Sequence, residues 1–191
     1  MKKMHCACLM FLALVSASWI ASPAQETVHA VSGVVTDVQP AKHMIHVKTN
    51  DGSTGKFRYY KEAKGDVSFD KDVRSGTTEP DGFNKIGDHV LVYYFGDDED
   101  RIVVALKDFG PAGLSVAAGT IVKAKHHTVI LKTDDGKTET FDIAKDASAD
   151  TPMGVVSGQK FDASEGERVT VRYLQANGAN VAEFIRVLRV N

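Results

Sequence analysis

Apolar and polar residues alternate with a period of two in ten short runs. Five lie near 31–38, 43–49, 53–60, 88–95 and 101–108, and five near 116–124, 127–133, 137–143, 167–174 and 180–190. A period of two is that of a β-strand with one buried face, whereas the 3.6-residue period of an amphipathic helix is weak throughout the chain. The pattern predicts an all-β protein of ten strands in two sets of five.

The two sets share their wording. VKTNDGSTGKF (47–57) and LKTDDGKTETF (131–141) agree at six of eleven positions. Around them Gly33 matches Gly119, Phe57 matches Phe141, Gly87-Asp88 matches Gly166-Glu167, and Val90, Val92 and Tyr94 match Val169, Val171 and Tyr173. Order, spacing and residue type all agree, as in a duplicated unit.

Within each copy, Asn50-Asp51-Gly52 and Asp134-Asp135-Gly136 fit a three-residue hairpin loop whose last residue takes a positive φ, which glycine adopts without a Cβ clash. A three-residue loop sets Ile45 opposite Phe57 and Val47 opposite Gly55, so the apolar phases of both strands share a face. A two-residue loop would oppose Ile45 to Arg58 and break that agreement.

Five short strands in some 75 residues bury too little as a flat sheet, and curling into a small barrel is the economical solution. The expected architecture is two tandem five-stranded antiparallel barrels, OB-like or SH3-like, over 25–109 and 116–191. GPAGLS at 110–115 reads as the linker. The stretches 61–85 and 144–164, rich in Gly, Asp, Ser and Thr, read as long connections between third and fourth strands, with Phe69, Phe83 and Phe161 tucking onto barrel ends.

The N-terminus changes the picture of where the protein works. Lys2 and Lys3 precede an apolar stretch at 9–20 and then small residues, the form of a secretory signal peptide. Ser22 and Ala24 supply the small −3 and −1 residues for cleavage after Ala24, so residues 1–24 are expected to be removed and the product to be periplasmic or secreted. The apolar run falls short of the roughly 20 residues that span a bilayer, so no membrane span is expected.

Removal takes away Cys6, Cys8 and Trp19, leaving no disulfide or thiolate chemistry. The full chain has 23 basic and 25 acidic residues; without Lys2 and Lys3 the balance is 21 against 25. Such a weakly acidic chain lacks the basic footprint of phosphate-backbone binding, which argues against nucleic acid as a partner.

The pattern G-x-V-x-x-V at 33–38, an alternating apolar strand, an [ND]-D-G turn, a strand ending in Phe and then G-[DE]-x-V-x-V resembles a family of small exported bacterial β-barrel domains of unknown function. The resemblance spans nearly all the mature chain, twice over, and implies an OB-like or SH3-like barrel with no catalytic residues to carry over. The periplasmic copper and silver efflux chaperone, another small barrel, is similar in architecture. Its His, two Met and Trp site has no counterpart, because the mature chain lacks Trp and its methionines, Met44 and Met153, fall in different units.

Candidate chemistry centres on histidine. KHMIH (42–46) and KHH (125–127) put His43 and His127 at equivalent positions on the apolar phase at the start of each second strand. One reading is a barrel-mouth site for zinc, copper or nickel, helped by Met44, His46 or His126. The other is a half-buried histidine capping the core opposite Tyr59 or Ile143. Strand geometry favours the second, since His43 and His46 are an odd number apart and point to opposite faces, as do His126 and His127.

The run Gly96-Asp97-Asp98-Glu99-Asp100 lacks the alternating spacing of a calcium loop and reads as a solvated turn. No Gly-x-Ser-x-Gly occurs, and Ser32, Ser115 and Ser157 are scattered. No residue is assigned to catalysis, to a cofactor or to a metal. The chain reads as an exported noncatalytic binding or structural module, with an envelope protein or polymer as partner. A periplasmic metal-binding protein is the second reading and an unrecognised hydrolase the third. Two linked barrels could also engage one partner bivalently.

Overall fold

A computed structural model describes residues 26–50, 52–60, 70–97, 100–125 and 127–188. The leader with its cleavage point, Phe69 and His126 lie outside the described residues. The first unit contains β1 (His29–Gln39), β2 (Met44–Thr49), β3 (Thr54–Arg58), β4 (His89–Phe95) and β5 (Ile102–Asp108). A one-turn helix, α1 (Lys71–Ser75), precedes β4. The second contains β6 (Ser115–Lys125), β7 (Thr128–Thr133), β8 (Thr138–Thr151), β9 (Gly154–Ser157), β10 (Arg168–Ala176) and β11 (Ala179–Val187).

The first five strands close into a barrel in the order β1-β2-β3-β5-β4. The hairpin register is the one side-chain phase demands, with Ile45 opposite Phe57 and Val47 opposite Gly55. Gly52 and Gly136 end the two loops at φ 87° and 86°, each donating its N–H to the carbonyl of Thr49 or Thr133. One expectation needs correction: not every pair is antiparallel. A ring with an odd number of strands cannot alternate direction all the way round, and the odd pair here is β3 with β5, parallel, joined through Arg58 and Ile102. The second unit is a sheet in the order β11-β10-β6-β7-β8-β9, and β11 also runs parallel to β8.

β1 and β6 do the same work. Each is eleven residues long and serves two neighbours, β1 pairing β4 with its first half and β2 with its second, β6 pairing β10 and then β7. Each is bent by a bulge, at Val35/Asp37 and at Ile121/Lys123. Gly33 and Gly119 lie just before these bulges, where the next strand crosses so closely that a Cβ would run into the carbonyl of Lys48 or Lys132. That close approach explains why the duplicated wording repeats a glycine there.

Three apolar cores result. Val35, Ile45, Val47, Phe57, Val90, Val92, Val103 and Leu106 fill the barrel. Ile121, Val129, Leu131, Phe141, Val169, Val171 and Ile185 fill the second unit. Phe83 and Phe161 tuck into these two cores as expected. The third core joins the units: Leu91, Tyr93, Val104 and Ala105 on the outside of the barrel pack with Ala30, Val73 of α1 and Phe184 of β11. Strands β4 and β5 are thus buried on both faces, which is why VLVYYF and IVVAL are nearly continuous apolar runs.

The stretch 144–164, expected to be a loop, is largely strand. β8 continues to Thr151 and turns into β9, with Ser148 opposite Ser157 and Asp150 opposite Val155. Ala147, Ser148 and Ala149 are completely or almost completely buried. Small side chains let this extension fit between the units, and tertiary contact rather than hydrophobic periodicity makes it a strand. Along 110–115, β6 begins at Ser115, the Gly110 carbonyl accepts from the His89 N–H at 2.9 Å, and Gly113 lies against the His89 ring.

Candidate functional site

The period-two logic that builds the second core also equips its outside. Val169, Val171 and Ile185 point into the core, so Thr170 and Arg172 on β10 and Phe184 and Arg186 on β11 must point out of it. Thr170 stands opposite Arg186, and Arg172 opposite Phe184. These residues form one wall of a cleft of about 680 Å³, a size suited to a small organic ligand. The first unit supplies the other wall through His29, Val31, Ser32, Thr49, Asn50 and Tyr94, and the turn after β8 closes one side with Thr151 and Pro152.

Asp150 organises the charges. Its side chain is 8% exposed, with Oδ1 accepting from His29 Nδ1 at 3.0 Å and Oδ2 lying 3.8 Å from Arg186 Nε. Burial pushes its carboxyl above the usual aspartate range, opposed by His29, by Arg186 and by a hydrogen bond from the Ala30 N–H. Arg172 is half-buried and, among the described residues, has no carboxylate partner; burial and then the neighbouring Arg186 guanidinium lower its pKa. Asn50 is held by donating to the Ser32 carbonyl at 2.6 Å and hydroxyl at 2.9 Å.

The histidines singled out in the sequence lie elsewhere. His43 is exposed, not half-buried, because it caps a short 3-10 turn in the left-handed conformation at φ 51° before β2 begins. Its ring meets Tyr59 edge-on, centroids 5.4 Å apart, and its carbonyl accepts from the Tyr59 N–H. His127 is likewise exposed, and its carbonyl accepts from the Ile143 N–H, so the two positions are equivalent through their backbones. His46 joins Met44 instead, Nε2 to Sδ at 3.1 Å, with Asp37 Oδ2 3.6 Å from Nδ1. Met153 is fully on the surface. Among the described residues, no three His, Cys, Asp or Glu side chains converge as a metal site requires.

Asp98 and Glu99 of the acidic run lie outside the described residues; beside them Gly96 has φ 84° and the Asp100 N–H donates to the Asp97 carbonyl. Sequence reasoning missed Arg172, Arg186, His29 and Asp150. On strands with one buried face, two arginines alternating with core valines look like solvated charges, and 121 positions separate His29 from Asp150. No protein-family model matches the chain, and no curated protein matches it.

Proposed function

We propose that the chain is an exported, noncatalytic binding module of two OB-like barrels whose ligand sits in the cleft between them. Four features support the reading. Residues 1–24 have the form of a secretory signal peptide. The order β1-β2-β3-β5-β4 with a parallel closure suits an OB-like rather than an SH3-like unit. In the second unit, β8-β7-β6-β10-β11 returns to β8 through its own parallel pairing, as a duplicated barrel would. The observation that carries most weight is that both units build the walls of one cleft, so neither would hold it alone.

Recognition would then be by contact within the cleft, and an envelope polymer or a fragment of one is the partner class of choice. The third core holds the units against each other, so engagement of one partner by both units would need no motion of one unit against the other. The test is retention of envelope polymer fragments by residues 25–191 and by Thr170→Trp, which puts an indole into the cleft opposite Arg186. Fragments held by the wild type and released by the folded variant are expected; equal retention, or none by either, would defeat the reading.

Metal binding remains the second reading, on the single observation that His46 and Met44 meet side by side on β2. It predicts one bound copper or zinc ion in native mass spectra that disappears in His46→Ala.

A further inference from the structure

We propose that the cleft takes an acidic group of its ligand, a carboxylate or a phosphate, between the guanidinium groups of Arg172 and Arg186. The inference rests on the binding-module reading and adds to it the chemical class of what is bound.

Charge is the first ground. The ionisable side chains lining the cleft, other than Tyr94, are Arg172, Arg186, Asp150 and His29, so one unit of positive charge stands in excess even with the imidazole neutral. Asp150 cannot cancel it, since its two oxygens already face His29 and Arg186 and it sits on the Ala30 N–H. Arg172 is left half-buried beside a like charge, without a carboxylate among the described residues. A half-buried cation beside a like charge is destabilising, and an incoming anion offsets that.

Geometry is the second ground. Arg172 and Arg186 occupy adjacent strands, diagonally offset by two residues on the same face, with Thr170 directly opposite Arg186. Two planar guanidinium forks on one face suit the paired oxygens of a carboxylate or phosphate better than a lysine would. Asp150 acts as a positioning residue: it faces Arg186 Nε and leaves the rest of that fork for a ligand.

The cleft is also too large for a bare ion. Phe184 and Tyr94 give it apolar walls, while Thr49, Asn50, Thr151 and Thr170 supply hydroxyl and amide groups. That lining fits an organic acid with a polar body, such as an acidic sugar unit, whose neutral part rests against the rings.

The experiment is titration of residues 25–191 at low ionic strength with glucuronate, with glucose 6-phosphate and with neutral glucose, followed by calorimetry and amide chemical shifts. At least one acid is expected to bind, tenfold or more tighter than glucose, with shifts at Thr170, Arg172 and Arg186 and weakening as salt is added. Which acid binds separates carboxylate from phosphate chemistry. Arg172→Gln should weaken binding at least tenfold while leaving the melting temperature of the ligand-free protein unchanged or higher, since it removes a half-buried charge that stands beside the like charge of Arg186. Arg172→Lys should fall between.

Glucose binding as well as both acids, or acid binding untouched in Arg172→Gln, would overturn the assignment of an acidic group. If Thr170→Trp still blocked glucose, the cleft would stand as a binding site of different chemistry. If Thr170→Trp changed no ligand's affinity, the binding-module reading itself would fall.

Discussion

Lys107 offers the sharpest test of how the two units are held. It lies on β5, only 9% exposed, and reaches across the joint to two carboxylates of the second unit. Its Nζ is 2.7 Å from Glu183 Oε2 and 2.8 Å from Asp146 Oδ2, with side-chain exposures of 12% and 33%. The ammonium also stands 5.5 Å from the centre of the Phe109 ring. Lys107→Met keeps the stem's apolar packing and removes the charge, leaving two neighbouring carboxylates, one of them largely buried, without their shared cation.

Breaking a buried pair by removing one partner costs about 3–5 kcal/mol. Asp146 is exposed enough to recover some hydration, so the lower part of that range, about 3–4 kcal/mol, is expected. At about 2–4 °C per kcal/mol for a chain of this size, Tm should fall by roughly 6–16 °C. Urea unfolding at neutral pH measures the free energy, and the triple variant Lys107→Met/Asp146→Asn/Glu183→Gln is the control. If unpaired charge is the cause, the triple variant should recover at least half the loss. A single variant within about 1 kcal/mol of the parent, or a triple variant no better than the single, would refute the view that Lys107 neutralises a buried joint.

Four further outcomes follow from the same structure. Gly33→Ala and Gly119→Ala should each destabilise by about 1–3 kcal/mol by driving a Cβ into the neighbouring strand's carbonyl, read by urea unfolding, and an effect under about 0.5 kcal/mol would mean the strands can separate there. Tyr93→Phe should cost about 1–2 kcal/mol, because it deprives the buried Ser148 hydroxyl of a partner 2.9 Å away. Cutting the chain before Pro111 should give a first half that aggregates or melts early, since Leu91, Tyr93, Val104 and Ala105 lose their cover; a stable, monomeric half would contradict the third core. Burial alone would raise the Asp108 carboxyl, but Lys85 at 2.6 Å and the Gly110 N–H hold it below the usual range. A depressed folded pKa gives stability that is present above about pH 4 and lost as pH falls through the folded pKa, so Asp108→Asn should destabilise the protein at pH 7, in urea unfolding, by more than it does at progressively lower pH.

The parts of the fold that were legible in the sequence are those governed by neighbours along the chain. Side-chain phase in IHV and KF, together with the glycine at the end of each loop, was enough to place Ile45 opposite Phe57. The repeated Gly33 and Gly119 were visible as a pair, though their reason, a crossing strand, was not. Parity alone could have shown that five strands cannot close in a wholly antiparallel ring. The unbroken run VLVYYF carried a further hint, since a strand with one wet face would have alternated; it was a sign that β4 is covered twice.

By itself, then, the sequence determined an all-β chain, its two sets of strands, the two hairpin turns and the register of the first hairpin. All of these depend on period-two alternation and on the φ that a turn demands, which are local properties. Only the tertiary structure decided that β8 runs on to Thr151, that β9 exists, that the two units share a core, and that Arg172 and Arg186 meet His29 and Asp150 in one cleft. Those features depend on which surfaces touch. A run such as DASADT carries no apolar period of its own, and becomes a buried strand only because another unit lies against it.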